Sequence, residues 1–216
     1  MNHVPLALSR IHYPITTLGP GRRVGIWFQG CSIRCPGCIS LDTWAPHKHQ
    51  TTVEDVLHTV SPWLNEASGL TVSGGEPFDQ PDALRSLLTS MRPRFAGDTL
   101  VYTGYAFESL DLQSFDGLID ALICDPFRLD HPQTLALRGS DNQRLVCLTP
   151  RGVSLFGSLN RPLAPGDRTL EVMFEGPNEE VFLAGIPGRG DLQRLTTLLQ
   201  SQGHYSHTTE DVRDIK

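Results

Sequence analysis

The chain has 216 residues, room for one domain with an appendage or for two small domains. Lys and Arg number 18 against 24 Asp and Glu, a net charge of -6, so an overall basic surface for nucleic acid is not expected. Hydrophobic residues make up 39%, which supports a packed core, while no apolar run reaches the roughly 18 residues of a membrane-spanning helix. The first residues lack a basic leader followed by an apolar run, so a soluble, cytoplasmic protein without membrane or nucleic-acid partners is expected.

In chain order, the turn Gly19-Pro20-Gly21 leads into a predicted strand at Val24–Phe28. Thr52–Ala67 reads as a helix with Thr51 or Thr52 as N-cap and acidic Glu54 and Asp55 in its first turn; Pro62 kinks it or ends it early. Leu70–Ser73 is a short buried strand, and Pro81–Met91 a helix with proline in its first turn. Thr99–Tyr102 is a strand, Ala106–Leu110 a short helix, and Ala121–Cys124 and Arg144–Thr149 are further strands. Strands separated by helical segments predict βαβ units and a parallel sheet. Beyond residue 150 the texture changes. Arg161–Asp167 is a Pro/Gly loop, Leu170–Phe174 and Val181–Ala184 pair across Glu175–Glu180, and Asp191–Gln202 is a helix. Asp191 is its expected cap, with Leu192, Leu195, Leu198 and Leu199 on one face. The last dozen residues are polar and expected to fray. The division is 1–150 as a core and 151–216 as an extension of hairpin plus helix.

The five cysteines are Cys31, Cys35, Cys38, Cys124 and Cys147. An odd number without a leader argues against a disulfide framework. Cys31, Cys35 and Cys38 follow the first strand at spacings of four and three, and a loop can curl to bring three such thiolates onto one cluster. A cubane with three protein ligands leaves one iron open to substrate. A zinc site of the Cys3His type, with Cys31, Cys35 and Cys38 and with His47 or His49 as fourth ligand, remains open on these residues alone, and would make the protein a non-enzymatic binding module. Cys124 and Cys147 lie inside apolar runs and read as small core residues. The second signal is Ser73-Gly74-Gly75-Glu76-Pro77, directly after a strand. Its glycines allow close backbone approach, and Glu76 can accept hydrogen bonds from an ammonium group.

C-x3-C-x2-C followed one βα unit later by Gly-Gly-Glu resembles the radical S-adenosylmethionine (SAM) superfamily. Within it the sequence is similar to activating enzymes of glycyl-radical proteins, above all those of anaerobic ribonucleotide reductase. The likeness runs through Gly19–Arg22, Phe28–Cys38, Thr43-Trp44, Ser73–Pro77, Tyr102–Tyr105, Asp125–Phe127, Arg138–Ser140 and Asn142-Gln143. The resemblance implies an α/β fold, a partial (β/α) barrel with a small α+β extension. It implies a 4Fe–4S cluster on Cys31, Cys35 and Cys38, and SAM bound through its methionyl amino and carboxylate groups. Reductive cleavage of the sulfonium would give methionine and a 5′-deoxyadenosyl radical that abstracts a hydrogen atom, in activases from a glycine of a partner enzyme. A reductant such as flavodoxin or ferredoxin would supply the electron.

Carried over residue by residue, Gly74, Gly75 and Glu76 would receive the methionyl amino group. Gly37 and the backbone after Cys38 would lie near the adenine, although many relatives carry an aromatic residue where Gly37 stands. Thr103 and Gly104 would approach SAM or its ribose, or else form a helix-entry turn. Asp125 and Arg138 would orient substrate or join ion pairs. Trp44 is expected to pack, and His47 and His49 to lie in an exposed loop. Minimal activases end soon after the Arg-Gly-Ser segment, whereas this chain runs on for about seventy residues. The same core acting on a peptide or a small metabolite is the alternative.

Overall fold

The computed structural model describes residues 3–46, 48–175 and 180–204. Strands β1 (Pro5–Ile15), β2 (Arg23–Phe28), β3 (Gln50–Thr52), β4 (Gly69–Gly74), β5 (Asp98–Tyr102), β6 (Ala121–Cys124) and β7 (Arg144–Cys147) form one seven-stranded sheet. Its order is β3-β1-β2-β4-β5-β6-β7. The central strands β2, β4, β5 and β6 are parallel, so their C-terminal ends share one edge of the sheet, where open α/β folds carry their chemistry.

The sheet is mixed rather than wholly parallel. β1 runs antiparallel to β2, β3 antiparallel to β1, and β7 antiparallel to β6. β1 is an eleven-residue strand that the sequence pattern does not announce. Polar residues interrupt its apolar ones, and only pairing with β2 on one side and β3 on the other makes it regular.

Alternation along β2 divides the two faces. Val24, Ile26 and Phe28 join Leu70, Val72, Val101 and Leu122 beneath helices α1 (Val53–Val60) and α2 (Pro81–Met91). Thr52 caps α1 through a capping box with Asp55, and the helix ends at Val60, where Ser61–Trp63 tightens into a 3-10 turn around Pro62. Ala106–Leu110 likewise holds only a 3-10 turn, Phe107–Ser109.

The opposite face carries Arg23, wholly buried against Asp98. Its guanidinium also donates to Thr71 Oγ1 at 2.7 Å, Leu70 O at 2.7 Å and Pro20 O at 3.0 Å. Such complete pairing offsets the desolvation of a buried ion pair and ties β2, β4 and β5 together. Helix α3 (Pro150–Phe156), which the sequence reading passes over, seats Phe156 on Leu100, Ala121 and Ile123 of this same face. Packing on the sheet thus continues past residue 150.

Strands β8 (Leu170–Glu175) and β9 (Glu180–Gly185) form a separate antiparallel hairpin, whose tip residues 176–179 lie outside the described residues. Met173 and Ala184 pack on Ile15, Leu18 and Trp27. Helix α4 (Asp191–Ser201) takes Gly190 rather than Asp191 as its N-cap, because the Asp191 carboxylate turns back to accept from Gly188 N at 2.5 Å. Leu192 and Thr196 are its buried residues, while Leu198 is 55% exposed and stands off the packed face. The expected fraying of the last dozen residues falls outside the described residues. Among the described residues no helix is long and apolar enough to cross a membrane.

Candidate functional site: the cysteine loop and the Gly-Gly-Glu turn

Two loops meet at the C-terminal edge of the sheet. After β2 the chain runs through Gln29-Gly30 into the cysteine loop; after β4 it enters Gly75-Glu76. Gly75 N donates to Phe28 O and Glu76 N to Gly30 O, both at 2.8 Å. Gly74 has φ +108°, and a Cβ on Gly75 would stand 2.0 Å from Gly30 O. These two glycines let one backbone lie directly on the other.

Cys31, Cys35 and Cys38 are free, half-buried thiols lining one cavity of 560 Å³. Arg34 adopts φ +51°, and Cys38 N donates to Cys35 O at 3.0 Å, which curls the loop. Burial pushes the Cys31 and Cys35 thiols up, opposed by backbone amides of Arg34 and Ile33 at Cys31 and of Phe127 at Cys35. Ser40 N lies 3.4 Å from Cys38 Sγ as a further donor. A loop that presents three thiols with amides already aimed at them fits an iron–sulfur cluster, whose sulfurs take such hydrogen bonds. Loading it releases the thiol protons. Among the described residues no three His, Cys, Asp or Glu side chains stand close enough together to hold a single metal ion.

Glu76 is 1% exposed and lines the same cavity. Oε1 accepts from Thr103 Oγ1 at 2.8 Å and Phe78 N at 3.0 Å, and Oε2 from Gly104 N at 2.8 Å. Burial pushes its carboxyl up to about 7, against the pull of those three donors. A carboxylate offers about four lone-pair sites, so one on Oε2 is left for a ligand.

The cavity's other walls come from far along the chain. Trp27, Trp44 and Tyr102 line it, and so do Phe182, Leu183 and Ile186 of the hairpin region. The Arg10 guanidinium sits 4.4 Å from the Phe182 ring centroid and pairs with Asp42. Gln133 Nε2 donates to Pro187 O at 3.0 Å, and Arg168 donates to Gln133 O at 2.9 Å, joining the 126–137 segment to the extension.

Residues 17–146 match the family described as a 4Fe-4S single cluster domain. The chain belongs to that family, within the radical SAM enzymes. It is 32% identical over 145 residues to the anaerobic ribonucleoside-triphosphate reductase-activating protein of Escherichia coli K12, covering 61% of this chain and 93% of that one. The corresponding protein of Enterobacteria phage T4 is 30% identical over 132 residues, 59% of this chain and 85% of its own. The pyruvate formate-lyase-activating enzyme of Staphylococcus aureus USA300 is 27% identical over 148 residues, covering 61% of this chain and 57% of that enzyme's own length. Among solved structures, QueE from Escherichia coli aligns with a TM-score of 0.41 and 17% identity over 46% of this chain and 53% of its own.

Within this radical SAM chain, the structure gathers Cys31, Cys35, Cys38, Gly74, Gly75, Glu76, Thr103 and Gly104 around the one cavity. Gly37 does not line it and faces the Leu129 side chain. Asp125 forms an ion pair with Arg144, which also grips Glu108 and holds that exposed carboxyl down at about 2. Arg138 is 2% exposed and donates to Ala136 O and Asn160 Oδ1. Both residues are bound into the frame of the 125–144 segment. Trp44 lies on the cavity wall, His49 is exposed, and His47 lies outside the described residues.

Sequence reasoning missed the residues that hold the loops. Gln29, 2% exposed, donates to Ala45 O at 2.7 Å, bracing the segment after Cys38. Gln80 donates to Gln29 O at 3.0 Å and accepts from Ala7 N at 2.8 Å. Asp79 accepts from Ser32 N, Ser32 Oγ and Tyr105 Oη. Only proximity to the two motifs marked Gln29, Asp79 and Gln80 in the sequence.

Proposed function

We propose that this chain is a radical SAM activase whose 4Fe–4S cluster sits on Cys31, Cys35 and Cys38 and whose Gly74-Gly75-Glu76 turn receives the methionyl amino group of SAM. The observation that carries this reading is the shared cavity, with three free thiols and one buried carboxylate on two loops bonded to each other. When held by these residues, the reduced cluster and SAM would supply reductive C–S cleavage to a 5′-deoxyadenosyl radical. Everything else is positioning and exclusion of water by the protein.

In this reading the parallel strands serve as the partial barrel of the radical SAM type, residues 1–150 as its core and 151–216 as the extension. Thr103 and Gly104 hold Glu76 so that its remaining lone pair faces the ligand. A bound ammonium favours the charged carboxylate, so SAM affinity rises as pH passes upward through about 7. The activating proteins it is similar to suggest a glycyl-radical enzyme as hydrogen donor, with a flavodoxin or ferredoxin as electron source in the cytoplasm.

One observation favours a second reading, in which a peptide or small metabolite is the substrate. The hairpin and Pro187 line the cavity, and both lie beyond the 17–146 segment that the family covers.

The test is anaerobic reconstitution with iron and sulfide, then dithionite and SAM, following 5′-deoxyadenosine by chromatography. Wild type is expected to produce it, and Cys35→Ala to lose both cluster and product. Full activity in Cys35→Ala would overturn the ligand assignment. A glycyl-radical signal on an added anaerobic reductase separates the activase from the second reading.

A further inference from the structure

Three segments distant in sequence meet beside the cysteine loop without entering the chemistry described above. Asp79 ends the 3-10 turn Pro77–Asp79 that follows Glu76. Its Oδ2 accepts from Ser32 N at 2.7 Å, and its Oδ1 from Ser32 Oγ at 2.8 Å and Tyr105 Oη at 2.7 Å. Ser32 Oγ and Tyr105 Oη are themselves 3.1 Å apart. Ser32 is the residue directly after Cys31. One carboxylate therefore takes both the amide and the hydroxyl of the loop's second residue, and Tyr105 takes up the oxygen that Ser32 shares.

Two consequences follow physically. The bidentate grip fixes the backbone at Ser32, and with it the direction in which Cys31 leaves the strand edge. Asp79 is exposed, so the negative charge it places against Ser32, the neighbour of Cys31, is partly screened by solvent, but it still lies on the side of a centre that would become more negative on reduction. That charge disfavours the reduced state.

We propose that Asp79 is a positioning residue of the cluster loop: through Ser32 it orients Cys31, and its charge, shared with Tyr105, holds the cluster potential low. The inference rests on the reading that Cys31, Cys35 and Cys38 carry the cluster. A low potential suits reductive cleavage, because a cluster that is harder to reduce is a stronger donor once reduced.

The experiment compares wild type, Asp79→Asn, Asp79→Ala and Tyr105→Phe by four measurements. These are iron and sulfide per chain after reconstitution at limiting iron, midpoint potential by titration, thermal unfolding, and amide hydrogen exchange across 31–38 in the metal-free protein. Asp79→Asn keeps the shape and removes the charge, and its midpoint potential is expected to move to a more positive value. Asp79→Ala removes all three acceptor contacts. It is expected to lose at least half of its cluster at limiting iron and to speed exchange at Ser32 about tenfold, the effect of one lost bond to a charged group. Tyr105→Phe leaves the charge and both Ser32 bonds, and should shift the potential less than Asp79→Asn. Wild-type potential in Asp79→Asn together with wild-type exchange in Asp79→Ala overturns the proposal. Should Asp79→Ala not fold, the potential of Asp79→Asn decides it. Should wild type take up no cluster, the ligand reading fails, while unchanged Ser32 exchange in metal-free Asp79→Ala separately sinks the positioning role.

Discussion

The junction of the cysteine loop with the Gly-Gly-Glu turn and the junction of the β8–β9 hairpin with the sheet both build the cavity, but by different means. The first is backbone on backbone: Gly75 N reaches Phe28 O, Glu76 N reaches Gly30 O, and no Cβ fits between. The second rests on side chains of the hairpin, with Met173 and Ala184 against Ile15, Leu18 and Trp27, and the Glu171 carboxylate accepting from Thr16 N, Thr16 Oγ1 and Thr17 Oγ1. Backbone contact fails abruptly when a single atom is added, whereas side-chain contact weakens in proportion to the area removed. The cysteine-bearing half of the cavity is thus narrowly constrained, and the half supplied by the extension is open to variation in shape.

The largest effect should come from breaking the first junction. Gly75→Ala puts a methyl 2.0 Å from Gly30 O, and a loss of more than about 4 kcal/mol is expected in denaturant unfolding of the metal-free chain. A loss under about 1 kcal/mol would mean the two backbones separate easily.

Next comes the charge buried at that junction. Glu76 holds its proton more tightly in the folded chain, about 7 against an ordinary 4.5. Its contribution is therefore fully present below pH 4.5 and is lost as pH rises through about 7. At roughly 1.4 kcal/mol per pH unit this amounts to about 3 kcal/mol. Unfolding of the metal-free chain followed from pH 4.5 to 8 should show that decline, and Glu76→Gln should flatten it. An unchanged slope in the variant would assign the decline to other groups.

At the second junction, Met173→Ala should cost about 2 to 3 kcal/mol, visible as faster proteolysis within the hairpin while the sheet stays protected. Uniform loss of protection across the whole chain would show that hairpin and sheet unfold as one. Smallest is Glu171→Gln, where exposed hydrogen bonds to Thr16 N and Thr16 Oγ1 weaken by about 1 kcal/mol. A larger loss would mean that this edge contact, rather than the Met173 packing, anchors the hairpin.

Much of the frame was legible in advance. α2 spans Pro81–Met91 and β6 Ala121–Cys124 as their apolar spacing predicts, because both bury a continuous apolar face. β1 and α3 were not legible. β1 carries Ser9, Arg10 and His12 among its apolar residues, and α3 opens Pro-Arg-Gly, so neither declares itself without its neighbours. The antiparallel direction of β7 was hidden too, since a strand's residues do not encode which way its partner runs.

By itself the sequence determined the chemical inventory: three cysteines at spacings of four and three, and a Gly-Gly-Glu turn one βα unit later. These are local patterns, fixed by how few residues a loop needs to bring its own side chains together. The tertiary structure decided what surrounds them. Glu76 is buried because Thr103 and Gly104, more than 25 residues on, close over it. Ser32 is held because Asp79 and Tyr105 arrive on two other strand ends. The hairpin reaches the cavity because Glu171 and Met173 find the face of β1 and β2, which precede them by some 150 residues. Contacts of that separation are selected by the fold as a whole, and no spacing within the sequence records them.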